Sequence, residues 1–93
     1  SLFKTMSLEN EKVRIIEFRV RKKFDCVGKS LKDLNIPDYG NVCAIFRNPD
    51  MIIPKGNTVI KAGDRLILAC APADQANLIA FMSTEKVINE KEE

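Results

Sequence analysis

Histidine is absent from this 93-residue chain, and its absence excludes several kinds of chemistry. Without an imidazole, no Ser–His or Cys–His pair can activate a nucleophile. The carboxylates are scattered through predicted turns and chain ends rather than converging by pattern. Neither a Gly-x-Gly-x-x-Gly dinucleotide fingerprint nor a Gly-x-x-x-x-Gly-Lys-Ser/Thr phosphate loop occurs. We therefore predict that the chain has no catalytic residues and is not an enzyme.

Cysteine is also scarce, with three widely spaced residues: Cys26, Cys43 and Cys70. Because there is no Cys-x-x-Cys pair and no histidine to complete a zinc site, we predict no metal site. Cys43 and Cys70 fall inside predicted strands, where a thiol packs as a small hydrophobe. Cys26 falls in a predicted loop, which makes it the one candidate for a reactive thiol.

Long apolar runs and a strong charge of one sign are lacking as well. The apolar runs are far shorter than the roughly 18 residues that a membrane-spanning helix needs, and no signal-peptide pattern opens the chain. The 15 basic and 13 acidic residues give a net charge of +2, unlike the basic excess of a nucleic-acid binder. Most aromatic residues fit core positions, which leaves Tyr39 to stack on a base. These features predict a soluble, cytoplasmic domain with no nucleic-acid partner and no direct membrane insertion.

The pattern of apolar residues predicts three elements in the first half of the chain. Period-two alternation from Val13 to Val20 indicates a strand with one buried face. A short helix follows, capped at Ser30 and ended by Pro37. A hairpin then joins a strand at residues 42–46 to residues 51–53.

Two glycine turns organise the second half. Gly56 and Gly63 are each expected to take positive φ and reverse the chain between strands. Residues 58–60 are predicted to form a short peripheral strand, and the nearly continuous apolar run 65–71 a central strand covered on both faces. Asp64 is predicted to fix its turn by accepting hydrogen bonds from nearby backbone N–H groups. The predicted structural turn residues are Pro54, Gly56, Gly63 and Asp64.

The chain ends with a predicted helix and a charged tail. The helix begins around Pro72 and has Leu78, Phe81 and Met82 on its apolar face. We interpret residues 1–12 as a linker or N-terminal extension and residues 85–93 as a charged C-terminal tail. The domain at 13–84 is therefore predicted to be α+β: two layers, with a mainly antiparallel β-sheet of about five short strands and two helices on one face. The opposite sheet face is left for association.

The order of these motifs resembles a known family. An apolar pair, then Pro-x-Gly-x-Thr-x-Ile, a spacer and Gly-Asp-Arg-Leu-Ile, at residues 52–67, resembles the TrkA C-terminal (RCK C) domain of Trk/Ktr-type potassium uptake regulatory proteins. Residues 27–37 look like the family's Gly-Lys-x-Leu-x-x-Leu segment, and residues 41–47 look like its next strand. In all, residues 13–82 fit the resemblance.

The resemblance implies a regulatory role in potassium transport. Members are cytosolic regulators in which an N-terminal Rossmann-like half binds NAD or ATP, and the C-terminal half dimerises or senses a ligand. By this resemblance no cofactor binds in this domain, apart from cyclic di-AMP as the implied ligand. The corresponding ligand-binding positions are Asn35, Ile36, Asn41 and Val42, while Pro37 stands where ligand-binding relatives can place an arginine.

The implied partners are a second copy of the chain and a membrane potassium transporter or channel subunit. The transporter would keep the domain at the inner face of the cell membrane. We expect the homodimer to use apolar hairpin residues, with Ile45, Met51 and Ile53 as contacts. The alternatives are a purely structural dimerisation module, a regulatory domain of another ion transporter or antiporter, and a fragment of an enzyme whose catalytic residues lie elsewhere.

Overall fold

One antiparallel sheet of five strands forms the centre of the computed structural model, which describes residues 3–88. The strand order across the sheet is β1-β2-β5-β3-β4, so β5 is central as predicted. The predicted α+β architecture is confirmed. The strands are β1 Phe3–Leu8, β2 Val13–Arg19, β3 Gly40–Arg47, β4 Asp50–Ile52 and β5 Arg65–Cys70; the helices are α1 Leu31–Leu34 and α2 Gln75–Met82, the second preceded by a 3-10 turn at Pro72–Asp74.

The core lies on one face of this sheet. Ile16 and Phe18 of β2 are fully buried there, and residues of both helices belong to or pack against the same buried cluster. From α2, Leu78 and Met82 are fully buried, while Phe81 of the predicted apolar face is half-buried. The period of two in β2 therefore marks its buried face, as the sequence predicts.

Part of the segment 1–12, which the sequence analysis interpreted as a linker or N-terminal extension, forms an edge strand of the sheet. Phe3–Leu8 form β1, which pairs antiparallel with β2 from Phe3↔Phe18 to Leu8↔Val13. The turn between them uses positive φ at three consecutive residues, Glu9, Asn10 and Glu11. No residue of β1 is fully buried, and the strand is held by backbone pairing with β2 alone. Its sequence therefore carries little apolar alternation.

The peripheral strand predicted at residues 58–60 is also absent. This segment makes one isolated bridge, between Val59 and Ser30, and otherwise bonds to the backbone that leads into α1. The amide of Leu31 donates to the Thr58 carbonyl at 3.0 Å, and the amide of Ile60 donates to the Lys29 carbonyl at 2.9 Å. Because the partner backbone bends into a helix, no ladder of strand pairs can form.

The strand β5 is buried on one face instead of two. Leu66 and Leu68 are fully buried, whereas Ile67 and Ala69, which alternate with them, are half-buried on the other face. A continuous apolar run therefore lies in a sheet whose second face has no covering layer among the described residues.

Thr84 and the first residues of the predicted C-terminal tail bond to the loop that follows β2. The amide of Asp25 donates to the Thr84 carbonyl at 2.7 Å, and the amide of Lys86 donates to the Lys23 carbonyl at 2.9 Å. Lys23 and Glu85 also form an ion pair at 3.2 Å. Residues 89–93 of the predicted tail lie outside the described residues. Across residues 3–88, no helix has both the length and the apolar character to span a bilayer.

Candidate functional site

A groove of about 490 Å³ opens between α1, the start of β3 and the loop that follows β4. This volume lies within the range of about 300–1,000 Å³ that is usual for small-molecule sites. All four residues that the sequence analysis assigned to ligand binding line it: Asn35, Ile36, Asn41 and Val42. The fold thus brings the end of α1 and the start of β3 to one concave surface, which we call the α1–β3 groove.

Local sequence explains how α1 presents its end to the groove. The Ser30 hydroxyl accepts a hydrogen bond from the Asp33 amide at 3.1 Å, which caps the helix at its start. Asn35 ends the helix in the left-handed conformation, with φ 57° and ψ 56°. Asparagine tolerates this conformation better than most residues do. The chain therefore turns sharply into Ile36 and Pro37, both on the groove wall.

The start of β3 forms the second wall. The Gly40 amide donates to the Pro37 carbonyl at 3.0 Å, which closes the turn into the strand. A Cβ atom at Gly40 would lie 2.7 Å from Leu78 Cδ1, so β3 packs against α2 more closely than a side chain allows. Of the two predicted residues here, Asn41 is exposed, whereas Val42 is only 6% exposed and belongs mainly to the core.

Two cationic residues of the groove were missed by the sequence analysis. Lys32 on α1 and Lys55 in the loop after β4 both line the groove, and both are exposed. They lie far apart along the chain, and their segments are brought together because the Lys32 amide donates to the Gly56 carbonyl at 2.8 Å. No local motif signals this pairing. The lining also includes one carboxylate, Asp38. Because the two lysines outnumber it, the charge of the lining favours an anionic ligand.

The predicted turn residues Pro54 and Gly56 also line the groove. The Lys55 amide donates to the Thr58 hydroxyl at 2.9 Å, and the Thr58 amide donates back to the Lys55 carbonyl at 3.0 Å. The expectation of positive φ at Gly56 is wrong, because the glycines with positive φ in the described chain are Gly28 and Gly63. Gly56 lies in a turn that ordinary residues can adopt.

The turn at Gly63 and Asp64 is joined to β3 by an ion pair that the sequence did not predict. The Asp64 carboxylate, 1% exposed, accepts the Lys61 amide at 2.9 Å, which is the type of bond that the sequence predicted. It also accepts Nε and Nη2 of Arg47, each at 2.8 Å. The hydrogen bond to Asp64 raises the pKa of Arg47 above its ordinary value. The same guanidinium donates to the Val59 carbonyl at 2.9 Å, so Arg47 ties the loop to the sheet.

The structure reverses the expected roles of two thiols. Cys26 is buried, and its thiol donates to the Met82 carbonyl at 3.6 Å. Burial raises the pKa of Cys26 to about 11, so it is a poor candidate for a reactive thiol. Cys43 is exposed, because the register of β3 shifts between Val42 and Ala44. Cys70 is buried as predicted, and burial raises its pKa.

One of the three expected dimer contacts is also wrong. Ile45 is fully buried in the core, because it pairs with Leu66 on the inner face of the sheet. Met51 and Ile53 are each 62% exposed and remain available for contact. No cluster of three or more potential metal ligands occurs within the described part of the chain.

Comparison with known proteins places these features in a family context. The family model of the TrkA-C domain matches residues 15–83. The Trk system potassium uptake protein TrkA homolog 2 of Methanosarcina mazei is 42% identical over 67 residues, covering 72% of this chain and 15% of that protein. The TrkA homolog of Archaeoglobus fulgidus is 36% identical over 63 residues, covering 68% of this chain and 14% of that protein.

A relative of a different kind also matches. The K(+)/H(+) antiporter NhaP2 of Shewanella baltica is 36% identical over 52 residues, covering 56% of this chain and 9% of that protein. The chain therefore spans only a small part of the length of each of these relatives.

Proposed function

Because the chain belongs to the TrkA-C domain family, we propose that it is a ligand-sensing regulatory domain of a potassium transport system. The observation that carries this proposal is the α1–β3 groove, which collects the four family-matched positions beside two lysines. The relatives named for Trk potassium uptake support potassium uptake as the process that the domain regulates. The family is a domain of transport systems, and we assign it no catalytic residue.

Cyclic di-AMP is the ligand that we propose for the groove. Its two phosphates need cations, and Lys32 and Lys55 both line the groove and supply two ammonium groups. The exposed amides of Asn35 and Asn41 can donate to and accept from base edges, and Ile36 offers an apolar contact. NAD or ATP would bind only in an attached N-terminal domain.

The elements that form the groove suggest how ligand binding is coupled to regulation of the transporter. A ligand that bridges Lys32 and Lys55 would hold α1 and the loop after β4 in one arrangement relative to β3. A ligand shifts a conformational equilibrium only by its difference in affinity for the two states. We infer that occupancy changes the orientation of paired domains, and that the attached transporter responds to this change.

The same proposal includes a homodimer, a membrane partner and a cellular location for the domain. Met51 and Ile53 are the hairpin residues exposed enough to contact a second copy. The partner would be a potassium transporter or channel subunit, which would hold the domain in the cytoplasm at the inner face of the membrane.

Calorimetric titration at physiological salt tests the proposal. Cyclic di-AMP should bind saturably, while ATP and NADH as comparison ligands should not. The double variant Lys32→Ala/Lys55→Ala should bind at least about ten-fold more weakly, since each lost charge-assisted contact contributes on the order of 1 kcal/mol or more. Lys22→Ala removes an exposed lysine outside the groove and should bind like the parent chain.

Two results of the titration would contradict the proposal. Absence of binding by all three ligands would reject ligand sensing and favour the structural dimerisation module. Equal loss of affinity in the groove variant and in Lys22→Ala would place the ligand elsewhere.

A second candidate function is regulation of a potassium–proton antiporter. The match to the antiporter NhaP2 over 52 residues favours it. Regulation of potassium uptake and regulation of an antiporter require different membrane partners. Co-purification of the full-length protein with its membrane partner would therefore distinguish these two functions.

A further inference from the structure

Several basic residues gather at the end of the sheet where β2 ends and β5 begins. Arg19, the last residue of β2, lies opposite Arg65, the first residue of β5. Beyond this pair, the Gly63 amide donates to the Val20 carbonyl at 2.9 Å, which places the 61–64 turn beside the segment that leaves β2. The fold therefore brings segments that are distant in the sequence to one end of the sheet.

Five exposed cations in these segments make no ion pair within residues 3–88. We call them the basic end: Arg19, Arg21, Lys22, Lys61 and Lys86. Lys86 belongs to this group because its amide donates to the Lys23 carbonyl at 2.9 Å, which holds the end of the described chain beside the segment after β2.

The carboxylates nearest to the basic end are already paired with other cations. Asp64, in the 61–64 turn, is 1% exposed and bonds to Arg47 at 2.8 Å. Glu85, which precedes Lys86, is paired with Lys23 at 3.2 Å. Within the described residues, the positive charge of the basic end is therefore not compensated by these carboxylates.

The other end of the sheet has a different charge. The turn between β1 and β2 and the segment after β5 lie there, with Glu9, Glu11 and Asp74 as carboxylates and Lys12 and Arg14 as cations. The whole chain has a net charge of only +2, so its charge is distributed unevenly along the strands. Such a distribution orients a protein that approaches an anionic surface.

Two exposed apolar side chains favour a lipid surface over an acidic protein. Val87 and Ile88 follow Lys86 directly and are 93% and 81% exposed. In an extended chain, both lie within roughly 7 Å of Lys86. Basic side chains beside exposed apolar ones are typical of segments that lie in the membrane interface, where the apolar side chains enter the boundary between headgroups and acyl chains. A purely acidic partner would leave the apolar pair without a contact.

We propose that the basic end binds directly to the surface of a bilayer that contains anionic phospholipids, with Val87 and Ile88 entering the headgroup region. This inference goes beyond the proposed function, in which a transporter holds the domain at the inner face of the membrane. The cytoplasmic leaflet is negatively charged and attracts basic segments. The domain lies on the bilayer and does not cross it. No residue of the basic end lines the α1–β3 groove, so lipid and ligand can bind at the same time.

Cosedimentation with vesicles tests the proposal directly. The chain should bind vesicles of phosphatidylcholine mixed with phosphatidylserine, and it should not bind vesicles of phosphatidylcholine alone. Binding should weaken as salt is raised from physiological concentration, because salt screens interactions between exposed charges. Absence of binding to the mixed vesicles at physiological salt would overturn the proposal.

A charge variant and a matched control locate the contact. The variant Arg19→Gln/Lys22→Gln/Lys61→Gln should weaken vesicle binding at least about 100-fold, since each basic residue near an anionic leaflet contributes about five-fold. The control Lys12→Gln/Lys32→Gln/Lys55→Gln removes the same charge at exposed lysines outside the basic end. It should stay within about three-fold of the parent, and equal losses in the two variants would overturn the basic end as the contact.

An apolar variant separates lipid from an acidic partner. Val87→Ser/Ile88→Ser should weaken binding to the mixed vesicles at least about ten-fold, because two apolar side chains no longer leave water. It should leave binding to soluble polyglutamate, a purely acidic probe, unchanged. Binding of the parent chain to polyglutamate without binding to the mixed vesicles would overturn the lipid proposal in favour of an acidic protein. All variants should retain the circular dichroism spectrum of the parent.

The outcomes also separate this inference from ligand sensing. Vesicle binding by a chain that binds no cyclic di-AMP would support the basic end while ligand sensing fails. Saturable binding of cyclic di-AMP by a chain that ignores anionic vesicles would overturn the basic end and leave ligand sensing intact.

Discussion

Replacing Arg47 with alanine is expected to destabilise the domain more than replacing its partner Asp64. The Arg47→Ala variant leaves a carboxylate that is 1% exposed, with the Lys61 amide as its remaining partner. Loss of one partner from a buried ion pair costs about 3–5 kcal/mol. The Asp64→Ala variant leaves a guanidinium that is 30% exposed and still bonds to the Val59 carbonyl. Because this charge can be hydrated, we expect a loss of about 1.5–3 kcal/mol.

Urea denaturation followed by circular dichroism at neutral pH measures both losses, and the double variant completes a thermodynamic cycle. The coupling between Arg47 and Asp64 should be at least about 1 kcal/mol, as for residues in direct contact. Glu17→Ala serves as the control, since the Glu17–Arg65 pair is longer, at 3.5 Å, and more than a third exposed on both sides. Its loss should stay below about 1 kcal/mol. If Asp64→Ala were the more costly variant, the argument from burial of the carboxylate would be refuted.

Three further predictions concern packing and thiol chemistry. Gly40→Ala should cost about 1–3 kcal/mol in urea denaturation because its Cβ would overlap the buried side chain of Leu78; Gly56→Ala, whose Cβ would make an ordinary 3.6 Å contact, should be nearly neutral, and equal losses would contradict this account. Ellman's reagent should modify Cys43 quickly and the two buried thiols only after unfolding, and three equal rates would show that the burial pattern is wrong. Burial raises the pKa of Cys26 from 9.0 to about 11, so the unfolded chain loses this proton first, and the free energy of unfolding should fall as the pH rises through that interval. The difference from Cys26→Ala should show this slope, and parallel curves for the two proteins would argue against it.

Local patterns predicted several elements whose structure depends on residues a few positions apart. The alternation in β2, the Ser30 cap of α1 and the hairpin from β3 to β4 were all predicted correctly, because each depends on side chains within a few positions. The strand β1 was missed because an edge strand is held by backbone bonds that any sequence can make. Residues 58–60 have strand-like composition, but they bond to the entry of α1.

The residues of the candidate site were likewise predicted only in part. The positions Asn35, Ile36, Asn41 and Val42 came from a resemblance in motif order, and the fold gathers them in the α1–β3 groove. Lys55 joins the groove only because a backbone bond brings its loop against α1. Such a pairing leaves no local signal in the chain.

By itself, the sequence determined the α+β class, the absence of histidine-dependent chemistry and the family resemblance, because these follow from composition, periodicity and motif order. The tertiary structure decided which thiol meets solvent, which carboxylate is paired with Arg47, and which face of β5 lacks a covering layer. These properties depend on distances between residues far apart in the chain. They arise only when the sheet register and the packing of both helices are set.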